Sequence, residues 1–365
     1  MDSKKVTLGV AGAGVLAGVV GLAVLAAPAG AGPAPALPTV SPQALVQSVM
    51  TAKPAALNGT VELDNELGLP ALPGMSELAN GKTDMQVATD GKSKGKLSLP
   101  QNNTEQETVV DNGKTIWVYD SAKRSATRYS VPTEGTAKHE FAKHKGAKAN
   151  PATIAKQTIS AMRKTSTVTI DGTTTVAGRD AYQLVLTPKP TEKTLLRQVR
   201  VSIDSQTRMP LRLDVYGNGS ANPVLAIGFT SLNLGPQDPA SFTFTPPAGV
   251  KVIDGNAKVK SAPSTQRMNA GLGALDINAI GHGWDTVVVG KVPAGMLSGT
   301  AGRSAQGGTD PMQLLSRFGK HVSGTWGEGW IVHTKVANVL ITSDGRVAAG
   351  FVPQQVLTHE IGTVR

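Results

Sequence analysis

Residues 111–120 read Asp111-Asn112-Gly113-Lys114-Thr115-Ile116-Trp117-Val118-Tyr119-Asp120. Asp-Asn-Gly is a turn signal: glycine takes positive φ without steric cost, and the two Asx side chains bond back to their own backbone. The residues after the turn alternate. Trp117 and Tyr119 share one face, Ile116 and Val118 the other. Period-two alternation leaving a turn signal predicts a strand of a hairpin.

The same grammar recurs on either side. Asn58-Gly59 precedes Thr60 to Leu63. Residues 167–177 read as another strand pair around Asp171-Gly172. Tyr182, Leu184 and Leu186 alternate, as do Val199, Val201 and Ile203, and then Leu211, Leu213 and Val215. Val224 to Leu232 and Phe242 to Thr245 complete the series. Strands at short spacing with turn residues between them predict an antiparallel meander buried on one face. Two helices punctuate it. Ser41-Pro42 is an N-cap followed by a first-turn proline, with Leu45, Val46, Val49 and Met50 on one face and a stop before Pro54. A second helix is expected from Asn150-Pro151 to about Lys164, preceded by a basic stretch, Lys138 to Lys148.

The first forty residues are different. Lys4 and Lys5 are followed by no charge until Lys53, and Val6 to Ala27 is a Val/Leu/Ala/Gly run broken only by Thr7. About twenty such residues span a bilayer core, and the lysines before them set the rest of the chain outside. Ala29-Gly30-Ala31 resembles a signal-peptidase site. A cleaved signal and an uncleaved anchor both stand, and residues 1–40 are read as one or the other with a Pro/Ala tether. The expected location is extracytoplasmic, at a bacterial cell envelope. The chain has no cysteine and a net charge of +10. Disulfides, thiolate metal sites and a lipidated cysteine are thereby excluded. The charge suits an anionic surface, and nucleic acid is not expected as a partner outside the membrane.

Four stretches carry a resemblance. Residues 111–120 resemble the "DGKTxWxY" hairpin of the LolA-like lipoprotein-carrier superfamily. Residues 176–188 (Val176-Ala-Gly-Arg-Asp-Ala-Tyr-Gln-Leu-Val-Leu-Thr-Pro188) are similar to its "xxGRxAYxLxLxP" strand. Residues 201–213 resemble its "xxxIDxxTxxPLR" pair, and residues 242–250 its "FxFxPPxGV" ending. The four stand in the family's order. The resemblance covers roughly residues 40–255 and extends to the RseB/MucB regulators and to actinobacterial LppX/LprG-type proteins, an actinobacterial member being the expectation. It implies an α+β fold: a curved antiparallel half-barrel with covering helices over an apolar cavity for acyl chains. The family's latch arginine has no match in Asp90-Gly91-Lys92-Ser93-Lys94-Gly95-Lys96. The expected division is residues 41–254 for this domain, 255–275 for a linker and 276–365 for a small C-terminal α+β unit of unknown role.

Beside the resemblance stands a local clue. Leu67, Leu69, Leu72, Met75 and Leu78 lie in a segment interrupted by Pro70 and Pro73. Each of these side chains gains roughly 1.5–3 kcal/mol from full burial, yet the prolines forbid a regular strand or helix. The segment is read either as a lid over a cavity or as a packed core loop. Leu67, Leu69, Leu72 and Met75, with Trp117 and Tyr119, are the candidate ligand contacts. Trp117 and Tyr119 equally fit plain sheet packing. Arg179 is expected to pair with Asp180 or Asp171. The six histidines make no ligand spacing, and no nucleophile elbow occurs. His282 and Asp285 fit a capped turn better than a metal site. The expectation is therefore a binding protein rather than an enzyme, with no cofactor or metal. Its expected partners are a lipid or acylated protein and a membrane surface, with a lipid exporter or a membrane anti-sigma factor beyond them. Two alternatives stand beside the carrier: an RseB-like envelope-stress sensor acting through a membrane partner, and a structural wall-associated protein.

Overall fold

The computed structural model describes residues 34–68, 81–101, 104–130, 159–256, 278–291 and 319–363. Among the described residues helix α1 (Pro42–Thr51) comes first, and helical residues 159–165 come later. Twelve strands form one sheet: β1 (Leu57–Asn65), β2 (Gly81–Thr89), β3 (Gly95–Pro100), β4 (Gln106–Asp111), β5 (Thr115–Asp120), β6 (Ser125–Ser130), β7 (Ser166–Val176), β8 (Arg179–Pro188), β9 (Leu196–Asp204), β10 (Pro210–Gly217), β11 (Leu225–Leu234) and β12 (Lys251–Asp254). Their order is β12-β6-β5-β4-β3-β2-β1-β11-β10-β9-β8-β7. All pairings are antiparallel except β12 with β6. The sheet is large, open and curved, and it does not close into a barrel. A second sheet, ordered β13-β14-β18-β17-β16-β15, is built from β13 (Asn278–Ile280), β14 (Val287–Lys291), β15 (Lys320–Gly324), β16 (Gly327–His333), β17 (Asn338–Thr342) and β18 (Arg346–Gly350), and helix α2 (Gln354–Ile361) comes after it.

The deciding hairpin forms for the reasons its residues give. Gly113 sits at φ +85°. Asp111 accepts the Gly113 N–H at 2.8 Å, and Asn112 accepts those of Lys114 and Thr115 at 3.0 and 2.9 Å. The first helix is capped as expected, with Ser41 accepting the Ala44 N–H at 3.2 Å. Its face is narrower than the spacing implied. Leu45 is fully buried and Val46 and Val49 pack beside it, but Met50 is 41% exposed. Leu45 and Ile159 cover Val168, Tyr182, Leu184 and Ile203 on one face of the sheet.

Several local readings are corrected. Asp171-Gly172 is not a hairpin but a bulge inside β7: the register jumps from Ile170–Leu184 to Thr173–Tyr182, with Gly172 at φ +76°. Both halves of β7 pair with the same neighbour, and the true turn is Ala177-Gly178, where both residues have positive φ. The Phe242–Thr245 strand is absent. Asp238 caps a 3-10 turn over Pro239–Phe242, and Pro246 and Pro247 withhold the N–H groups a ladder needs. Arg179 pairs with neither Asp180 nor Asp171. It forks onto Asp204, which is 0% exposed, with its second bond at 3.1 Å. Asp171 pairs with Arg200 instead. Residues 150–158, the Lys138–Lys148 stretch and the segment 257–277 lie outside the described residues.

One glycine fixes how closely β1 and β11 approach. A Cβ on Gly59 would fall 2.3 Å from the Ser231 carbonyl oxygen. Gly59→Ala must therefore push the two strands apart, and a loss of about 1–3 kcal/mol of unfolding free energy is expected. Urea denaturation checks this; an unchanged midpoint would mean that the seam has slack.

Candidate ligand-binding groove

The small sheet has two apolar faces because its residues alternate. Val287, Val289, Leu340 and Ala348 point into a core closed by Leu357 and Ile361 of α2. Their neighbours Val288, Val339 and Ala349 point the other way, toward the large sheet. There they meet Leu196, Val199, Leu213 and Val215 across a cavity of about 620 Å³. Val288 and Phe351 on its wall remain 42% and 50% exposed. Exposed apolar groups of this size on a concave wall mark a binding groove more often than a finished core.

Two clamps hold the walls apart. At one end the Phe351 carbonyl accepts the Leu195 N–H at 2.8 Å and the Thr194 hydroxyl at 2.7 Å. Beside it Trp284 donates its indole N–H to Ser166 at 2.7 Å and its backbone N–H to Glu192 at 3.1 Å. At the other end the Lys335 N–H bonds to the Leu67 carbonyl at 2.8 Å, and Val336 is buried among Leu196 and Val224. The polar groups on the walls are spent locally. Asn338 donates to the Val352 carbonyl and faces His333 through its other atom, each at 2.8 Å, and Thr286 bonds to Gly283. The groove therefore offers mainly hydrocarbon, with no charged side chain on its lining.

The groove continues onto the large sheet. Leu213 pairs with Val201 on one side and Ile227 on the other, and Ile227 pairs with Leu63. The same face carries Val61, Met85, Val87, Leu97, Val109 and Val118. Most of these are only half-buried among the described residues, and Ile227 is 38% exposed.

The residues singled out from sequence are not gathered in one place. Leu67 packs in the cluster of Leu196, Val224 and Val336, together with the groove residues Val215 and Trp284, and so stands at the groove's rim. Leu69, Leu72 and Met75 lie outside the described residues. Trp117 and Tyr119 meet on one ring, Phe244, each with centroids 5.6 Å away. By register they stand on the face opposite to Val118 and Leu213, and so not on the groove wall. His282 and Asp285 form the capped turn that presents Trp284, the His282 N–H bonding to Asp285 at 3.2 Å. Trp284 and the groove-facing valines were not singled out. The signal for Trp284 was there: one of four tryptophans, set between glycine-flanked His282 and Asp285 at a strand entry.

Residues 104–251 match the model of the MucB/RseB N-terminal domain family. Over that stretch the chain is similar to this family, which falls within the LolA-like superfamily. All four LolA-like motifs read from the sequence fall inside that stretch, and the first three supply β4–β5, β7–β8 and β9–β10. The Arg179–Asp204 fork joins the second motif to the third. Solved structures similar to this chain include MucB of the Pseudomonas aeruginosa MucA/MucB complex, 14% identical, with 87% of this chain and 94% of that one covered and a TM-score of 0.41. Lipoprotein LppX of Mycobacterium tuberculosis is 13% identical, with 53% and 93% covered and a TM-score of 0.29. A LolA superfamily protein of Nitrosomonas europaea is 12% identical, with 56% and 99% covered and a TM-score of 0.24. No curated protein sequence matches the chain.

Proposed function

We propose that this protein is an extracytoplasmic binding protein that holds the acyl chains of a lipid or lipoprotein between its two sheets, as a carrier or chaperone at the cell envelope. The observation that carries the reading is the groove of about 620 Å³, whose walls are mainly apolar and whose polar groups are already bonded elsewhere. Such a site rewards a ligand for its apolar area and asks nothing of it in hydrogen bonds. Leu67 at the rim supports the lid reading, in which Leu69, Leu72 and Met75 cover the ligand. Among the described residues no metal-binding cluster of His, Asp and Glu occurs, and none of the groove's side chains suits acid–base or nucleophilic work.

Among the described residues no helix is long and apolar enough to cross a membrane. Residues 6–27, expected to do so, lie outside them, and we carry their role as anchor or signal as a proposal. The domain limits 41–254 and 276–365 are proposed likewise. A second reading, a regulator that senses lipid and signals through a membrane partner, is supported by the match to the MucB/RseB domain family.

Extraction of the purified protein with organic solvent, followed by mass spectrometry, is expected to release a lipid or acylated species. Leu69→Ser combined with Leu72→Ser is expected to shorten retention of a fluorescent acyl probe while shifting the melting temperature little. Absence of both extracted lipid and acyl-probe binding would sink the carrier and the lipid sensor together. A large fall in melting temperature in the double variant would assign those leucines to the core instead.

A further inference from the structure

Five lysines that the groove does not use stand at one end of the large sheet. Lys92 and Lys94 are in the β2–β3 turn and Lys96 lies just beyond it, Lys114 is in the β4–β5 turn, and Lys53 comes just after α1. The turns touch one another. A Cβ on Gly91 would lie 2.7–2.9 Å from backbone atoms of Pro54, Ala55 and Ala56, and one on Gly113 would meet the Ser93 hydroxyl at 3.0 Å. Thr115, beside Lys114, pairs with Ser130, beside Tyr129. The row thus runs from the end of α1 to the end of β6.

Among the described residues none of these five ammonium groups makes an ion pair. The two carboxylates within the row spend oxygens on backbone N–H groups. Asp90 accepts those of Lys92, Ser93 and Lys94, and Asp111 accepts that of Gly113. Two of the exposed large apolar side chains flank the row: Met50, 41% exposed, and Tyr129, 38% exposed. The half-buried apolar face that leads to the groove begins here, at Val87, Leu97 and Ile116.

We propose that this end of the sheet docks on an anionic phospholipid bilayer, with the lysines on headgroup phosphates and Met50 and Tyr129 at the acyl boundary. Charges spread over separate turns set no register, which a folded protein partner would need. A plane offering phosphate at every point answers them, and apolar side chains beside them add the interfacial term. The docking is independent of what the groove holds, and its failure would leave the ligand reading intact.

The test exploits the absence of cysteine. In the full-length protein, Ser93→Cys carries a fluorophore in the lysine row. Ala221→Cys carries the reference label beyond the opposite end of the strands, next to β11's first residues. With phosphatidylglycerol vesicles the label at position 93 is expected to become shielded from acrylamide quenching, and the label at position 221 is not. High salt, phosphatidylcholine vesicles and the triple change Lys92→Glu, Lys94→Glu, Lys114→Glu are each expected to remove the shielding. The triple change is expected to weaken the association of this end by about a hundredfold at low salt. Acyl-probe binding by the triple variant is expected to match the parent. Equal shielding on phosphatidylcholine, shielding that survives the triple change, or equal shielding by soluble polyphosphate would overturn the proposal. So would loss of acyl-probe binding in the triple variant, which would assign the lysines to the ligand.

Discussion

Asp204→Ala is expected to cost about 3–5 kcal/mol of unfolding free energy, the range for breaking a buried ion pair from one side. The carboxylate is fully buried at the end of β9. It receives the Arg179 fork, the N–H of Gln206 at 2.9 Å, and both the N–H and the hydroxyl of Thr207, at 2.6 and 3.0 Å. Removing it strands a guanidinium and two turn N–H groups together. Burial pushes the Asp204 carboxyl up, but the bonds from Arg179, Thr207 and Gln206 outweigh it and hold the group below the usual aspartate value. Because the folded value lies below the unfolded one, this stabilisation is fully present above about pH 4 and is lost as pH falls through the folded value. The wild-type protein should therefore lose stability on acidification below pH 4 more steeply than Asp204→Ala. Some acid dependence should persist in the variant, because Asp344 is held at about 2: bonds from Thr342 and Arg346 outweigh the burial that raises it. Urea midpoints for both proteins across the acid range check the prediction. Equal slopes would mean that Asp204 is already neutral in the fold.

Val288→Glu is expected to weaken acyl-probe binding by about a hundredfold or more, because an ionised carboxylate beside hydrocarbon costs several kcal/mol unless it is paired. The choice of residue separates binding from folding. Val288 lines the groove and is already 42% exposed, so the empty protein loses little when it becomes charged. Its neighbours Val287 and Val289 face the opposite core at 0% and 2% exposure, and glutamate there would unfold the small sheet. Fluorescence titration, with a melting curve in parallel, reads the two effects apart. Binding like the parent's would place the ligand elsewhere.

What was legible in the sequence was local. Asp111-Asn112-Gly113 names its own turn, and β8 to β11 show their period two because their large apolar side chains recur at every second residue. Ala177-Gly178 was passed over in favour of Asp171-Gly172: both are turn chemistry, and only the pairing of β7 along its whole length with β8 separates a bulge from a turn. The strands β2 and β3 went unread, as did β12, whose four residues are ordered only by β6, more than a hundred residues earlier. The groove was hidden for a related reason. Val287, Val288 and Val289 form a run with no visible period, since one face meets α2 and the other the groove. Its opposite wall, Leu196 to Val215, reads as ordinary buried strand. A cavity between two elements far apart in the chain leaves no mark on either alone.

The place of β1 in the large sheet bears on how the chain comes to be assembled. β2 to β6 and β7 to β10 are two runs of neighbours in sequence, each able to pair as it emerges. β1 joins them, pairing with β2 on one side and with β11 on the other, so that Asn58 stands opposite Asn233. A chain made or exported from its N-terminus must carry that second edge of β1 unsatisfied until residue 234 has arrived. The contact that turns two half-sheets into one surface thus becomes available only after both runs have been made, and Gly59, with no room beside Ser231, lies within it.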